Sequence, residues 1–287
     1  MLSKDKKILI VGLGLIGGSY AESLSRQGYY VGAVTRSQGS IDYALDKGLI
    51  SAGTTEVSPE FTKDYDIVVF ALYPHVLLDW ISSWQNCLKD GALLTDVTGV
   101  KCSVVYEIQG MLRPGLEFVG AHPMAGREVG GVRNADCRIF QGANYIVTPT
   151  DANTPGAVAT CEELGRTLGF ARIARLSPQR HDEIIGFLSQ LTHCIAVALM
   201  TCRDVTALSD YTGDSFRDLT RIARINDEMW SELFFLNRTE LLAQIDVFTA
   251  QIGKIREAIA SGDTDALREL MRLSTERRAL FDKRQTQ

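Results

Sequence analysis

At 287 residues the chain is long enough for two domains, each with a core of its own. Its 30 basic and 35 acidic residues leave a net charge of −5, so it offers no basic footprint to a nucleic acid. No uninterrupted apolar run reaches the roughly 18 residues of a membrane span, and the few polar residues before the first strand leave no room for a secretory leader. Six scattered cysteines (Cys87, Cys102, Cys137, Cys161, Cys194 and Cys202) lack C-x-x-C or paired-histidine spacing, which reads as reduced thiols in a cytoplasmic protein without a metal site.

The first element is an apolar strand at residues 8–11 that runs straight into Gly12-Leu13-Gly14-Leu15-Ile16-Gly17, a G-x-G-x-x-G turn. Gly12 permits the tight turn, Gly14 lets backbone approach a pyrophosphate, and Gly17 lets the next helix pack close to the strand. The helix at 19–27 aims its free N–H groups and positive dipole end at the phosphates. A bare glycine turn is weak evidence. Set between a strand, a helix and a second strand (Tyr30–Val34), it points to NAD or NADP held along Gly12, Leu13, Gly14, Leu15, Ile16 and Gly17. The second strand ends in Thr35-Arg36-Ser37, with no acid to accept ribose hydroxyls. Thr35 and Arg36 suit a 2′-phosphate, so NADP is the expected cofactor and NAD the alternative; a plainly solvated Arg36 is the bland reading.

Further strands are expected at 67–71, 92–96, 117–121, 144–147 and 171–175, alternating with helices at 40–47, 76–87, 104–111 and 155–168. This predicts an α/β fold over residues 1–176: a Rossmann-type, doubly wound, mostly parallel sheet that binds ligands outside its strands' carboxyl ends. Leu72 is placed among the cofactor contacts, with His75 in a loop nearby. His122, in Gly120-Ala121-His122-Pro123-Met124-Ala125-Gly126, sits at such a carboxyl end, where an imidazole can take a proton near neutral pH.

Beyond Ser177-Pro178 the strand signals stop, and residues 177–287 read as an all-helical domain. The segment 181–202 is apolar on nearly all sides, as in a buried helix, with His181 as a capping or surface residue at its start. Gly186, Ser189, Gln190 and His193 form a polar stripe on it that either meets another helix or lines a pocket. In 216–223, two arginines and an aspartate offer either a carboxylate clamp or an internal pair such as Arg217–Asp218. Leu241, Ile245, Phe248, Ile252, Ile255 and Ile259, spaced 4, 3, 4, 3, 4, make a heptad seam that calls for a helical partner in the same chain or a second subunit. Gly262 breaks the pattern and Asp263 caps a last helix.

Together the glycine turn, Thr95-Asp96-Val97-Thr98-Gly99-Val100-Lys101, residues 120–126, Leu191-Thr192-His193, and 216–223 followed by Trp230 resemble the prephenate/arogenate dehydrogenase family across nearly the whole chain. The resemblance implies oxidative decarboxylation of prephenate or arogenate in tyrosine biosynthesis, with hydride passing to NAD(P), and a homodimer joined through the helical domain. It implies that His122 is the catalytic histidine that takes the ring-hydroxyl proton. His193 would line the substrate pocket, and Arg221 would bind a substrate carboxylate. Gly126 and Thr98 would lie on the substrate side, and Glu128 at the pocket mouth. Where the family pattern Asp-x-x-Ser-x-Lys has Ser, this chain has Gly99, so hydroxyl help to His122 is left to Thr98 or water. The small-molecule substrate requires neither metal, nucleic acid nor membrane. Two alternatives stand beside this reading. One is a two-domain hydroxy-acid dehydrogenase, disfavoured because no lysine falls between Lys101 and Lys254; the other is a cofactor-binding sensor without catalysis.

Overall fold

The computed structural model describes residues 2–282. Eight strands, β1 (Lys7–Val11), β2 (Tyr30–Val34), β3 (Ala52–Thr54), β4 (Ile67–Phe70), β5 (Leu93–Asp96), β6 (Glu117–Pro123), β7 (Asn144–Thr148) and β8 (Arg172–Arg175), form one sheet in the order β3-β2-β1-β4-β5-β6-β7-β8. All neighbours are parallel except β6 and β7. The predicted mostly parallel, doubly wound sheet is the one that forms. The strand not anticipated is β3, whose three residues carry no apolar run and gain their place through register with β2, Val34 against Thr54.

Alternation along β1 explains the two layers. Ile8 and Ile10 enter one core with Tyr20 and Leu24 of α1 (Leu15–Arg26) and Ile41 of α2 (Gln38–Asp46). Leu9 and Val11 enter the other, with Leu77 and Ile81, and with Val104 and Ile108. A short helix, α3 (Pro59–Thr62), precedes the two helices that carry those last pairs, α4 (Pro74–Trp84) and α5 (Cys102–Met111). Successive side chains of a strand point to opposite faces, and a strand covered on both must be apolar throughout. On the first face α6 (Pro155–Thr167) adds Cys161 and Leu164.

The rod that follows comprises α7 (Pro178–Ile185), a π-helical turn (Gly186–Leu191) and α8 (Thr192–Thr201); α9 (Asp214–Thr220) and α10 (Asp227–Leu236) come next. Its span Pro178–Thr201 is long and apolar enough, on average, to cross a membrane. The run within it is not uninterrupted, since Ser189, Gln190 and His193 break it. The described residues separate into two compact units, one up to Arg238 and one from Thr239. Within the first, Asp182 of α7 accepts backbone N–H groups of Lys101 and Cys102 at the start of α5, both at 2.8 Å. The second unit holds most of α11 (Arg238–Ser261), and α12 (Thr264–Ala279), which Asp263 caps by accepting from Ala266 N at 2.9 Å.

At the carboxyl edge of β5 lies a wholly buried ion pair, Lys101 Nζ to Asp96 Oδ2 at 2.5 Å. The other Asp96 oxygen accepts Ala121 N at 2.9 Å, tying β5 to β6. Gly120 makes room beside it, since a Cβ there would stand 3.4 Å from Lys101 Cδ and 2.5 Å from Thr148 Oγ1. Replacing one partner strands the other charge in the interior, so Lys101→Met is expected to cost about 3–5 kcal/mol of unfolding free energy. Denaturant titration checks this, and a loss below about 1 kcal/mol would show the pair to be dispensable.

Candidate active site

The glycine turn takes the form its sequence demands. Gly12 has φ +99°, and a Cβ on it would lie 2.4 Å from the Ala71 carbonyl oxygen. A Cβ on Gly17 would lie 1.9 Å from the Gly12 carbonyl oxygen, so helix and strand pack as closely as glycine allows. Gly14, the N-cap of α1, has open space before its Cβ position and provides no side-chain cap. An open cradle over uncapped helix N–H groups fits a dinucleotide pyrophosphate. Leu13 and Leu15 bury their side chains, and Ile16 packs on the core that holds Leu13. Leu72 flanks the turn, its Cδ2 lying 2.9 Å from the Gly12 Cβ position. At the end of β2, Thr35 N donates to Thr54 O at 3.2 Å, while Arg36 is exposed.

His122 lies within β6, opposite Ile146 of β7, rather than just past the strand. Its Nδ1 is 2.9 Å from His181 Nε2, and His181 Nδ1 is 2.7 Å from Asp182 Oδ1. The Asp182 carboxylate can only accept, so His181 carries its proton on Nδ1 and accepts from His122 Nδ1–H. His122 Nε2 is therefore the atom left with a free lone pair. His181, expected from the sequence to be a capping or surface residue, is instead fully buried and the second member of this chain. The sequence signal was its adjacent Asp182, which a capping role did not explain. Burial, then the neighbouring His181 ring and the Lys101 ammonium, hold the His122 imidazole well below its ordinary value. Burial pushes Asp182 up, but hydrogen bonds from His181 and the backbone of Cys102 and Lys101 outweigh it and hold the carboxyl low.

Thr98 is a correction to the expected substrate contacts. Its hydroxyl is bonded to Asp96 Oδ2, lies 2.9 Å from the Val100 carbonyl and receives Lys101 Nζ at 3.1 Å, all in the interior. The Thr98 side chain serves the ion pair and not an external ligand. At Gly99 an added Cβ would meet Leu233 at 3.5 Å and His122 Cε1 at 3.9 Å, ordinary contacts both. A side chain is absent here without being excluded.

His193 stacks on Trp230 with ring centroids 3.7 Å apart, and its Nδ1 donates to Ser189 O at 2.9 Å. Burial lowers its pKa, with Glu128 and Arg221 both close enough to act on it. Arg221, in a 3-10 turn (Arg221–Ala223), pairs with Glu128 rather than within its own segment, and Arg217 pairs with Asp214 rather than Asp218. The polar stripe divides: Gln190 meets α10 and its flank, donating to Leu233 O at 3.1 Å and accepting from Asn237 at 2.7 Å, whereas His193 faces Trp230. Helix α10 thus carries Trp230 to His193 and Leu233 to Gly99, and Glu232 on it accepts His75 N at 2.7 Å. His75 belongs to the first turn of α4, not to a loop. Gly126 sits exposed with open space around it, in the loop leading to Glu128. Among the described residues no group of three acidic, cysteine or histidine side chains is placed to hold a metal.

Residues 20–173 match the family described as "Prephenate dehydrogenase, nucleotide-binding domain", and residues 177–273 match "Prephenate dehydrogenase, dimerization domain". The chain belongs to the prephenate dehydrogenase family. It is 30% identical to a cyclohexadienyl dehydrogenase of Zymomonas mobilis over 92% of each chain. The crystal structure of prephenate dehydrogenase from Aquifex aeolicus, in complex with hydroxyphenyl propionate and NAD+, superposes with a TM-score of 0.88 at 29% identity, covering 96% of this chain and 98% of that one. Synechocystis arogenate dehydrogenase shares the fold, with a TM-score of 0.82 at 24% identity over 96% and 99% of the two chains. A member of this family is an oxidoreductase that binds NAD(P).

The histidine values set a pH dependence. His122, His181 and His193 all sit below the ordinary 6.5, so below that pH the unfolded chain binds more protons than the folded one. Stability is therefore full above pH 6.5 and falls as pH drops towards the folded-state values. Thermal melts should show Tm lower at about pH 5.5 than at about 7.5; a flat Tm would mean that these imidazoles are not held neutral.

Proposed function

We propose that the chain catalyses the oxidative decarboxylation of prephenate or arogenate, with NADP preferred over NAD. The observation that carries the reading is the chain of hydrogen bonds from Asp182 through His181 to His122, which leaves Nε2 of His122 as a base at the carboxyl end of β6. Bound NADP supplies the hydride acceptor. His122 Nε2 takes the proton of the ring hydroxyl as hydride leaves the carbon that bears it, and loss of carbon dioxide then makes the ring aromatic. His181 accepts from His122 Nδ1–H, fixing the tautomer and ring plane and stabilising the imidazolium that forms, with Asp182 doing the same for His181. His193 and Arg221 stand on the substrate side. Arg221 offers a carboxylate a planar fork of donors, exchanging Glu128 for the substrate. Thr35 and Arg36 support the NADP preference because no acid there repels a 2′-phosphate.

Steady-state kinetics with prephenate and arogenate, each with NADP and NAD, test the proposal, and no turnover with either substrate would end it. His122→Asn is expected to lower turnover by about two to four orders of magnitude while cofactor binding stays near normal. Near-native turnover in that variant would remove His122 from the mechanism.

The protein is further proposed to be a homodimer through its helical part. Ile252 and Ile259 of the heptad seam are 48% and 64% exposed in the single chain, along with Val247 and Leu242 of the same helix. Apolar residues left exposed at heptad spacing, as Ile252 and Ile259 are, are normally covered by a partner. Analytical ultracentrifugation should give about twice the 31.6 kDa chain mass at micromolar concentration. A fully active monomer would overturn this.

A further inference from the structure

On the outer side of α1 a cavity of about 550 Å³ is lined by Arg26, Arg127, Arg133 and Arg138, with Glu22 and Asp136 among them. Three of these arginines have carboxylates: Arg26 pairs with Glu22 at 2.7 Å, and Arg127 and Arg138 pair with Asp136 at 2.9 and 2.8 Å. Arg133 has none among the described residues. Its guanidinium lies over the ring of Tyr43, 4.7 Å from the centroid, which fixes its direction without neutralising it.

The place of Arg133 gives that free charge meaning. Its turn (Val132–Asn134) packs on the first turn of α1, where a Cβ on Gly18 would stand 3.1 Å from Val132 Cγ2. Tyr43 belongs to α2, about 7.5 Å along the helix from Gln38, and α2 starts directly after Arg36 and its N-cap Ser37. Arg133 is thus held between the helix that follows the glycine turn and the helix that follows β2. Both helices begin at the carboxyl edge of the sheet, where the glycine turn and the end of β2 are placed to meet a dinucleotide. The nearby charges favour an anion there. The first turn of α2 contains no acid, and the carboxylate of Asp42 is bonded by Gln38 Nε2 at 2.8 Å. The Ser37 hydroxyl oxygen accepts Ser40 N as the cap, which leaves its O–H to donate.

We propose that Arg133, oriented by Tyr43, is a second guanidinium that with Arg36 holds the adenosine 2′-phosphate of NADP. Two forks approaching one phosphate from the β2 side and the α1 side supply more donors than Arg36 alone. The assignment rests on the NADP preference proposed above and names the residue that sets its size.

Calorimetric titration of the full chain with adenosine 2′,5′-bisphosphate and with AMP, which differ only in the 2′-phosphate, tests it without catalysis. The native chain should bind the bisphosphate more tightly. Arg133→Ala should lose about tenfold of bisphosphate affinity, with AMP binding unchanged within about twofold. Tyr43→Leu, which keeps the charge and removes its platform, should fall between, and Arg133→Lys should recover part of the loss. A native preference that Arg133→Ala leaves intact, or an equal loss for both nucleotides, overturns the role of Arg133 and leaves the cofactor reading standing. A native chain with no preference overturns the cofactor reading itself, and this role with it.

Discussion

The buried pair of Asp96 and Lys101 is the interaction on which the carboxyl edge of the sheet around His122 depends. A carboxylate and an ammonium can stay in an apolar interior only if each finds its full set of partners. Asp96 does so by accepting Lys101, the backbone and hydroxyl of Thr98, and the N–H of Ala121. Those bonds fix three things together: the edge of β5, the loop that passes Gly99, and the strand that carries His122 one residue further on. The pair also places a positive charge near His122, which helps keep that imidazole neutral.

A second carboxylate acts in a similar way from the helical side. Asp182 accepts the first N–H groups of α5 and the Nδ1–H of His181, so it both caps a helix of the sheet layer and orients His181 against His122. Negative charge at a helix N-terminus is favourable in its own right. Asn237 then donates to the Asp182 carbonyl at 2.9 Å and to Gln190, which reaches Leu233 of α10. These bonds give the π-helical turn, where Gln190 lies, a structural role. The wider turn sets Gln190 against α10 while His193, three residues on, stacks on Trp230. Such turns recur where a helix must aim side chains in directions that a regular 3.6-residue period does not allow.

Much of this architecture is legible in the chain itself. The glycine turn, the strand and helix alternation and the break at Gly262 follow from local rules: apolar period, glycine conformation and caps. His122 is legible because a strand's carboxyl end is where such sheets bind ligands. The strand β3 is not, since three small residues carry no periodic signal. His181 misleads because a helix start beside serine and proline explains a polar residue well enough by itself. Only the fold shows that it is buried against another imidazole 59 positions away. Thr98 misleads for the converse reason: a hydroxyl one position from a missing serine looks available until the Asp96 and Lys101 side chains claim it.

The sequence by itself determined the class of the protein, because a dinucleotide turn and a doubly wound sheet are written in short-range patterns of glycine and apolar residues. It also marked His122, His193 and Arg221 as candidates for the site. Tertiary structure alone decided which of them act together. Partners such as His122 with His181, Arg221 with Glu128 and Arg133 with the Tyr43 ring lie from 59 to 93 residues apart along the chain. Pairing over such separations leaves no periodic trace, since it is set by how elements pack and by the need of every buried polar group to find a partner.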